Sequence, residues 1–103
     1  MKIVRVIYTV RPEYVATNQA NIANVVKELK ALNHPGIKYS CYLLPDGKTF
    51  MHFDQLENEA AHEVVTSLES FKKFATELEA SGLEVEPKLE LLSLVASTED
   101  FWG

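Results

Sequence analysis

The stretch Ile37-Lys38-Tyr39-Ser40-Cys41-Tyr42-Leu43-Leu44-Pro45-Asp46-Gly47-Lys48-Thr49-Phe50-Met51-His52-Phe53-Asp54-Gln55-Leu56 decides the fold. Two runs, residues 37–44 and 48–56, are rich in apolar and aromatic residues and flank Leu44-Pro45-Asp46-Gly47. Pro at the second turn position, Asp next and Gly last suit a type I turn closed by a glycine bulge. That turn pairs Leu44 with Lys48. It predicts Tyr42 opposite Phe50, Ser40 opposite His52 and Lys38 opposite Asp54, an aromatic pair and an opposite-charge pair among them. A four-residue loop would move the register by one and undo these pairings.

Upstream, residues 3–10 are dense in β-branched residues and read as a strand. Val4, Val6, Tyr8 and Val10 share one face; Ile3, Arg5, Ile7 and Thr9 share the other. Both faces are largely apolar, which places this strand centrally. Arg5 in such a strand needs a carboxylate; Glu90 is its expected partner, and a substrate carboxylate is the alternative. Pro12 fits a first helical turn, after which Val15, Ile22, Val25, Val26, Leu29 and Leu32 recur at helical spacing. Pro35-Gly36 ends that helix near Asn33. Downstream, Asn58 suits a helix cap, and Ala61, Val64, Val65, Leu68, Phe71, Phe74, Ala75 and Leu78 form the apolar stripe that follows. Thr66, Ser67 and Ser70 are expected to break this helix in two, and Gly82 to stop it. A last strand is expected from Val85 to Ala96, with Pro87 placing it at an edge or making an early bulge.

The order strand, helix, strand, strand, helix, strand is the ferredoxin-like βαββαβ unit, an α+β fold with a four-stranded antiparallel sheet and helices on one face. Residues 1–103 are expected to form one domain. The strands offer apolar residues to both sheet faces, so a homodimer, sheet on sheet, is the economical way to cover the second.

Of the 103 residues, 47% are hydrophobic and 24% charged, and the net charge is −5. These values exclude a disordered chain. An acidic balance lacks the electrostatic footprint that captures nucleic acid or an anionic membrane surface. The lone cysteine, Cys41, cannot form an intrachain disulfide and reads as a buried small hydrophobe. With no apolar span, and with Arg5 interrupting any signal-like segment, the expected compartment is the cytoplasm. The histidines His34, His52 and His62 are too widely spaced for a local metal motif, and no Gly-rich phosphate loop is present, so no metal and no cofactor are expected.

From Asn33 to Leu78 the chain resembles the antibiotic biosynthesis monooxygenase-like family of the dimeric α+β barrel superfamily. The resemblance rests on Pro35-Gly36, the hairpin through Asp46-Gly47, Thr49-Phe50-Met51-His52-Phe53-Asp54, Glu57-Asn58-Glu59-Ala60-Ala61-His62 and Glu69-Ser70-Phe71-Lys72-Lys73-Phe74. It implies a dimeric barrel and, in some members, cofactor-independent oxygenation of aromatic polyketides or quinols. Asp54 stands where the family commonly has a glutamate near the end of the third strand. His62 matches a histidine common early in the second helix. The haem-degrading branch uses an asparagine on the first strand, a tryptophan that would fall at Leu56 and a histidine that would fall at Ser70. None of these is present here, so haem degradation is not expected.

The predicted hairpin register groups Lys38, Ser40, Tyr42, Phe50, His52, Asp54 and Leu56 on one sheet face, a mixture of aromatic and titratable groups suited to a small-molecule pocket. On the other face Ile37, Tyr39, Cys41, Leu43, Met51 and Phe53 read as core. His52 is the candidate base, since its ordinary pKa lies near neutrality. Tyr42 and Asp54 are the further candidate catalytic residues, and Lys38, Ser40, Phe50 and Leu56 the candidate substrate-binding ones. His62, on a helix beside Glu63, reads as a surface residue. The expected function is cofactor-free monooxygenation of an aromatic polyketide or quinol. The alternative is a non-catalytic dimeric module that binds a small apolar metabolite.

Overall fold

A computed structural model describes residues 1–102. Its elements are β1 (Lys2–Thr9), α1 (Val15–Leu32), β2 (Ile37–Leu43), β3 (Thr49–Leu56), α2 (Glu59–Ser67), α3 (Glu69–Ala80) and β4 (Val85–Leu92). The four strands form one antiparallel sheet in the order β2-β3-β1-β4. This is the expected βαββαβ arrangement, with β1 central and β4 at an edge. The ladder between β1 and β4 is irregular between Ile7 and Thr9, where Pro87 enters and cannot donate to it.

The local signals act where the sequence places them. Asn33 caps α1 in the left-handed region, its amide donating to the Leu29 carbonyl. The Asn58 side chain accepts from the Ala61 amide at the start of α2. The helix breaks at Leu68, whose backbone is extended. Just before it, the Ser67 hydroxyl donates to the Val64 carbonyl and competes with the helical ladder. Arg5 meets Glu90 at 3.1 Å.

The hairpin register is the main correction. The Leu44 amide donates to the Thr49 carbonyl at 2.8 Å, so the loop holds four residues, Pro45 to Lys48. The cause is Asp46. Its Oδ1 accepts from the backbone amides of both Lys48 and Thr49, which carries the turn one residue further than a Pro-Asp-Gly bulge would. The pairs are therefore Leu43 with Phe50, Tyr42 with Met51, Cys41 with His52, Ser40 with Phe53 and Tyr39 with Asp54. Each β2 side chain changes face relative to the expectation. Tyr42, Ser40 and Lys38 lie on the sheet face opposite to His52 and Asp54, whereas Tyr39 and Cys41 join them.

The helices cover the face carrying Val4, Val6, Tyr8, Phe50, His52, Asp54 and Leu56. One core cluster joins Tyr8, Val10 and Phe50 to Ile22 and Val25 of α1 and to Phe74 and Leu78 of α3. A second joins Val4 and Leu56 to Ala61 and Val65 of α2. β4 ends at Leu92, paired with Ile3 of β1, rather than at Ala96. The following residues return to the β2 edge, where the Trp102 indole donates to the Pro35 carbonyl at 2.7 Å and the Lys38 ammonium sits 5.4 Å from the Phe101 ring centre. Ile3, on the sheet face away from the helices, is buried.

Candidate functional site

On the side that β3 turns toward the helices, two titratable side chains stand in alternate positions, His52 and Asp54. Their surroundings differ. His52 is 6% exposed and both ring nitrogens have partners. Its Nε2 lies 2.7 Å from the Tyr8 hydroxyl and its Nδ1 2.6 Å from the Tyr39 hydroxyl. Asn18 of α1 donates to the Tyr8 oxygen at 2.9 Å, which leaves the Tyr8 proton for Nε2 and puts the imidazole proton on Nδ1 toward Tyr39. A neutral imidazole completes this chain, and burial agrees by pulling the His52 pKa down to about 4. Burial also raises the Tyr8 and Tyr39 hydroxyls well above the usual tyrosine range. The ring of His52 is closed in by Tyr8 and Phe74, with centroids 5.3 and 5.2 Å away.

Asp54 is the opposite case. Its Oδ1 is buried and has no hydrogen-bond partner among the described residues. Burial pushes its pKa up to about 7, because nothing nearby compensates the charged form. The expected Lys38 partner lies on the other face of the sheet.

Asp54 faces a cavity of about 390 Å³ between the sheet and the α2–α3 pair. The helix side is apolar. Phe71, Phe74, Ala75 and Leu78 recur at helical spacing on one stripe of α3, and Val65 adds to it from α2. The sheet side is Val4, Val6 and Tyr8 with His52 and Asp54, joined by Pro87 and Leu89 on the β4 edge. Among the described residues, the charged groups lining the cavity besides Asp54 are Glu79 and Glu86. No described group of His, Cys, Asp and Glu could hold a metal ion.

Of the residues singled out in the sequence, His52 and Asp54 line this cavity. Phe50 and Leu56 share their sheet face as buried core, and Tyr42, Lys38 and Ser40 lie on the other side. Tyr39 was assigned to plain core and instead holds His52. The hairpin register decides the Tyr39 contact, whereas that of Tyr8 comes from the pairing of β1 with β3 and that of Asn18 from the packing of α1 on β1, neither of which has a local sequence signal. His62 lines the cavity instead of the open surface, with its Nδ1 2.8 Å from the Lys2 ammonium. Cys41 lies beside His52 across the strands, and burial raises its thiol to about 12, so it stays protonated.

The architecture has solved relatives. A crystal structure of an antibiotic biosynthesis monooxygenase superposes with a TM-score of 0.77 at 16% identity, covering 93% of this chain and 100% of that one. The chain has the antibiotic biosynthesis monooxygenase fold. Rv0793 from Mycobacterium tuberculosis matches with a TM-score of 0.78 at 14% identity, over 95% of this chain and 98% of its own. PA3566 from Pseudomonas aeruginosa matches at 0.76 and 22% identity, over 92% and 94%. No protein-family model and no curated protein sequence matches the chain. Within this fold the cavity lies between the sheet and its own helices. No described helix is long and apolar enough to cross a membrane.

Proposed function

We propose that this chain is a cofactor-independent monooxygenase acting on a neutral phenol, anthrone or quinol of the aromatic polyketide kind. The observation that carries the reading is Asp54, an unpartnered carboxyl with a pKa near 7 facing an apolar cavity. A general base works best when its pKa lies near the working pH. His52, held neutral down to about pH 4 and bonded at both nitrogens, is a poorer base, and the reading gives it the role of orienting Tyr8 and Tyr39. The absence of Lys and Arg from the lining supports an uncharged substrate over a carboxylate.

For an anthrone the chemistry balances with dioxygen as the oxidant. Asp54 takes the proton of the enol hydroxyl. The enolate passes an electron to dioxygen, and the radical pair closes a carbon–oxygen bond. The peroxide takes up a proton. Loss of the remaining C–H proton breaks the O–O bond, so the methylene becomes a carbonyl and the second oxygen atom leaves as water. The protein contributes desolvation, orientation and the base. The reading includes a homodimer, sheet on sheet, which would cover the exposed Tyr42 of β2 and Leu92 of β4 on the outer face. Sedimentation at micromolar concentration should then give about twice 11.6 kDa.

The test is dioxygen uptake with a panel of anthrones and quinols. Stoichiometric uptake should fall roughly 10²–10⁴-fold in Asp54→Asn, the usual contribution of a general base. His52→Gln should cost less. Uptake unaffected by Asp54→Asn would remove the base assignment. Binding of panel members without any uptake would leave the non-catalytic binding module.

A further inference from the structure

The contact between Lys2 and His62 fixes a proton that neither catalytic candidate controls. The Lys2 ammonium has only protons to offer, and its Nζ stands 2.8 Å from His62 Nδ1. Nδ1 therefore accepts, and the neutral ring carries its proton on Nε2. Lys2 is itself held by Glu59, one turn before His62 on α2, at 2.9 and 3.1 Å. His62 lines the cavity and Lys2 does not, and with Nδ1 taken by Lys2 the ring donor left for a ligand is Nε2–H. The position relative to Asp54 follows from the ladder. Val4 pairs with Asp54 and Lys2 with Leu56, so Lys2 and Asp54 occupy neighbouring places on the helix-facing side of β1 and β3. The cavity thus has a buried bare acceptor, Asp54 Oδ1, and an oriented donor, His62 Nε2–H.

We propose that His62, oriented by Lys2, is a substrate-binding residue that donates to the phenol or enol oxygen whose proton Asp54 accepts. This deepens the oxygenase reading and rests on it for the class of ligand. A hydroxyl on an aromatic ring satisfies both groups with one oxygen. An ether or a ketone satisfies only His62 and leaves Asp54 bare, and a carboxylate meets Asp54 as a like charge. As the proton leaves, negative charge builds on the oxygen that His62 already faces, so the same donor strengthens toward the anion.

Long-range proton–nitrogen correlation spectra of the uniformly labelled protein at pH 8 read the tautomer directly, with His62 assigned by its loss in His62→Gln. The expected pattern is Nε2–H, with a mixture of tautomers in Lys2→Met. Titration with 1-naphthol should move the His62 resonances, and 1-methoxynaphthalene, whose oxygen His62 alone can meet, should bind about tenfold tighter than naphthalene, the scale of one hydrogen bond. His62→Phe should remove that preference and leave naphthalene binding unchanged, while His62→Gln, which keeps a donor, should retain part of it. An Nδ1–H pattern in the wild type, an unchanged preference in His62→Phe, or no binding of 1-naphthol would each overturn the proposal. None of these readouts needs turnover. A protein that passes them but takes up no dioxygen with the anthrone and quinol panel loses the oxygenase reading alone.

Discussion

The two halves of the helix-facing sheet surface make different use of buried polar groups. Beneath the middle of α1, around Tyr8 and Phe50, the space is filled, and a smaller cavity of about 270 Å³ opens only further along, between the end of α1 and Ile37 and Tyr39 of β2. Phe50, Tyr8, Ile22 and Val25 pack together, and the polar atoms of Asn18 Nδ2, Tyr8, His52 and Tyr39 close on one another. Beneath α3, around β1 and β4, the space is open, and Asp54 meets it without a partner. His52 and Asp54 are two residues apart on one strand, yet burial drives both toward neutrality with opposite consequences. Neutral His52 is complete within the protein. Neutral Asp54 is a group awaiting a partner from outside. The difference teaches that a titratable side chain is read through its partners before its intrinsic pKa.

The largest effects should separate the halves by volume. Phe50→Ala in the filled half should destabilise the fold by roughly 3–5 kcal/mol, as a truncated core aromatic does. Ala75→Leu on the cavity wall should instead leave stability within about 0.5 kcal/mol or raise it, because the added carbons enter open space. Urea unfolding of the two variants checks this, and equal losses would show that the cavity half is as tightly packed as the other.

Much of this plan is legible in the sequence. The strand and helix order, the Asn58 cap, the break near Ser67 and the Arg5–Glu90 pair follow from local residue chemistry, which the structure has no reason to override. The hairpin register does not, because it turns on one carboxylate. Pro45-Asp46-Gly47 specifies a tight turn, but Asp46 wraps two amides instead of one and lengthens it. That shift exchanges Tyr42, Ser40 and Lys38 for Tyr39 and Cys41 on the site face, and with it the partners of His52. The cavity itself leaves no trace in periodicity, since Phe71, Phe74, Ala75 and Leu78 read as core whether or not the sheet meets them. His62 likewise looks like a surface residue until Lys2, sixty positions away, is brought to its ring.

A smaller effect sharpens the comparison through pH. Asp54 holds its proton more tightly folded, near 7, than at its ordinary value of 3.8, so its contribution to stability falls as pH rises between those values. His52 binds its proton less tightly folded, near 4 against 6.5, so its contribution rises with pH across that window. The two slopes oppose each other in the wild type. Asp54→Leu should leave a stability that climbs from pH 4 to 6.5, and His52→Phe one that declines up to pH 7. Unfolding midpoints measured at several pH values check both signs.

The most direct test is the titration of the Asp54 carboxyl itself, followed by its side-chain carbon resonance in the labelled protein and assigned by its loss in Asp54→Asn. A bare carboxyl in an apolar cavity predicts a midpoint near pH 7. A midpoint near the ordinary value of 3.8 would mean that the group is solvated or paired, and would contradict the assignment of Asp54 as the base.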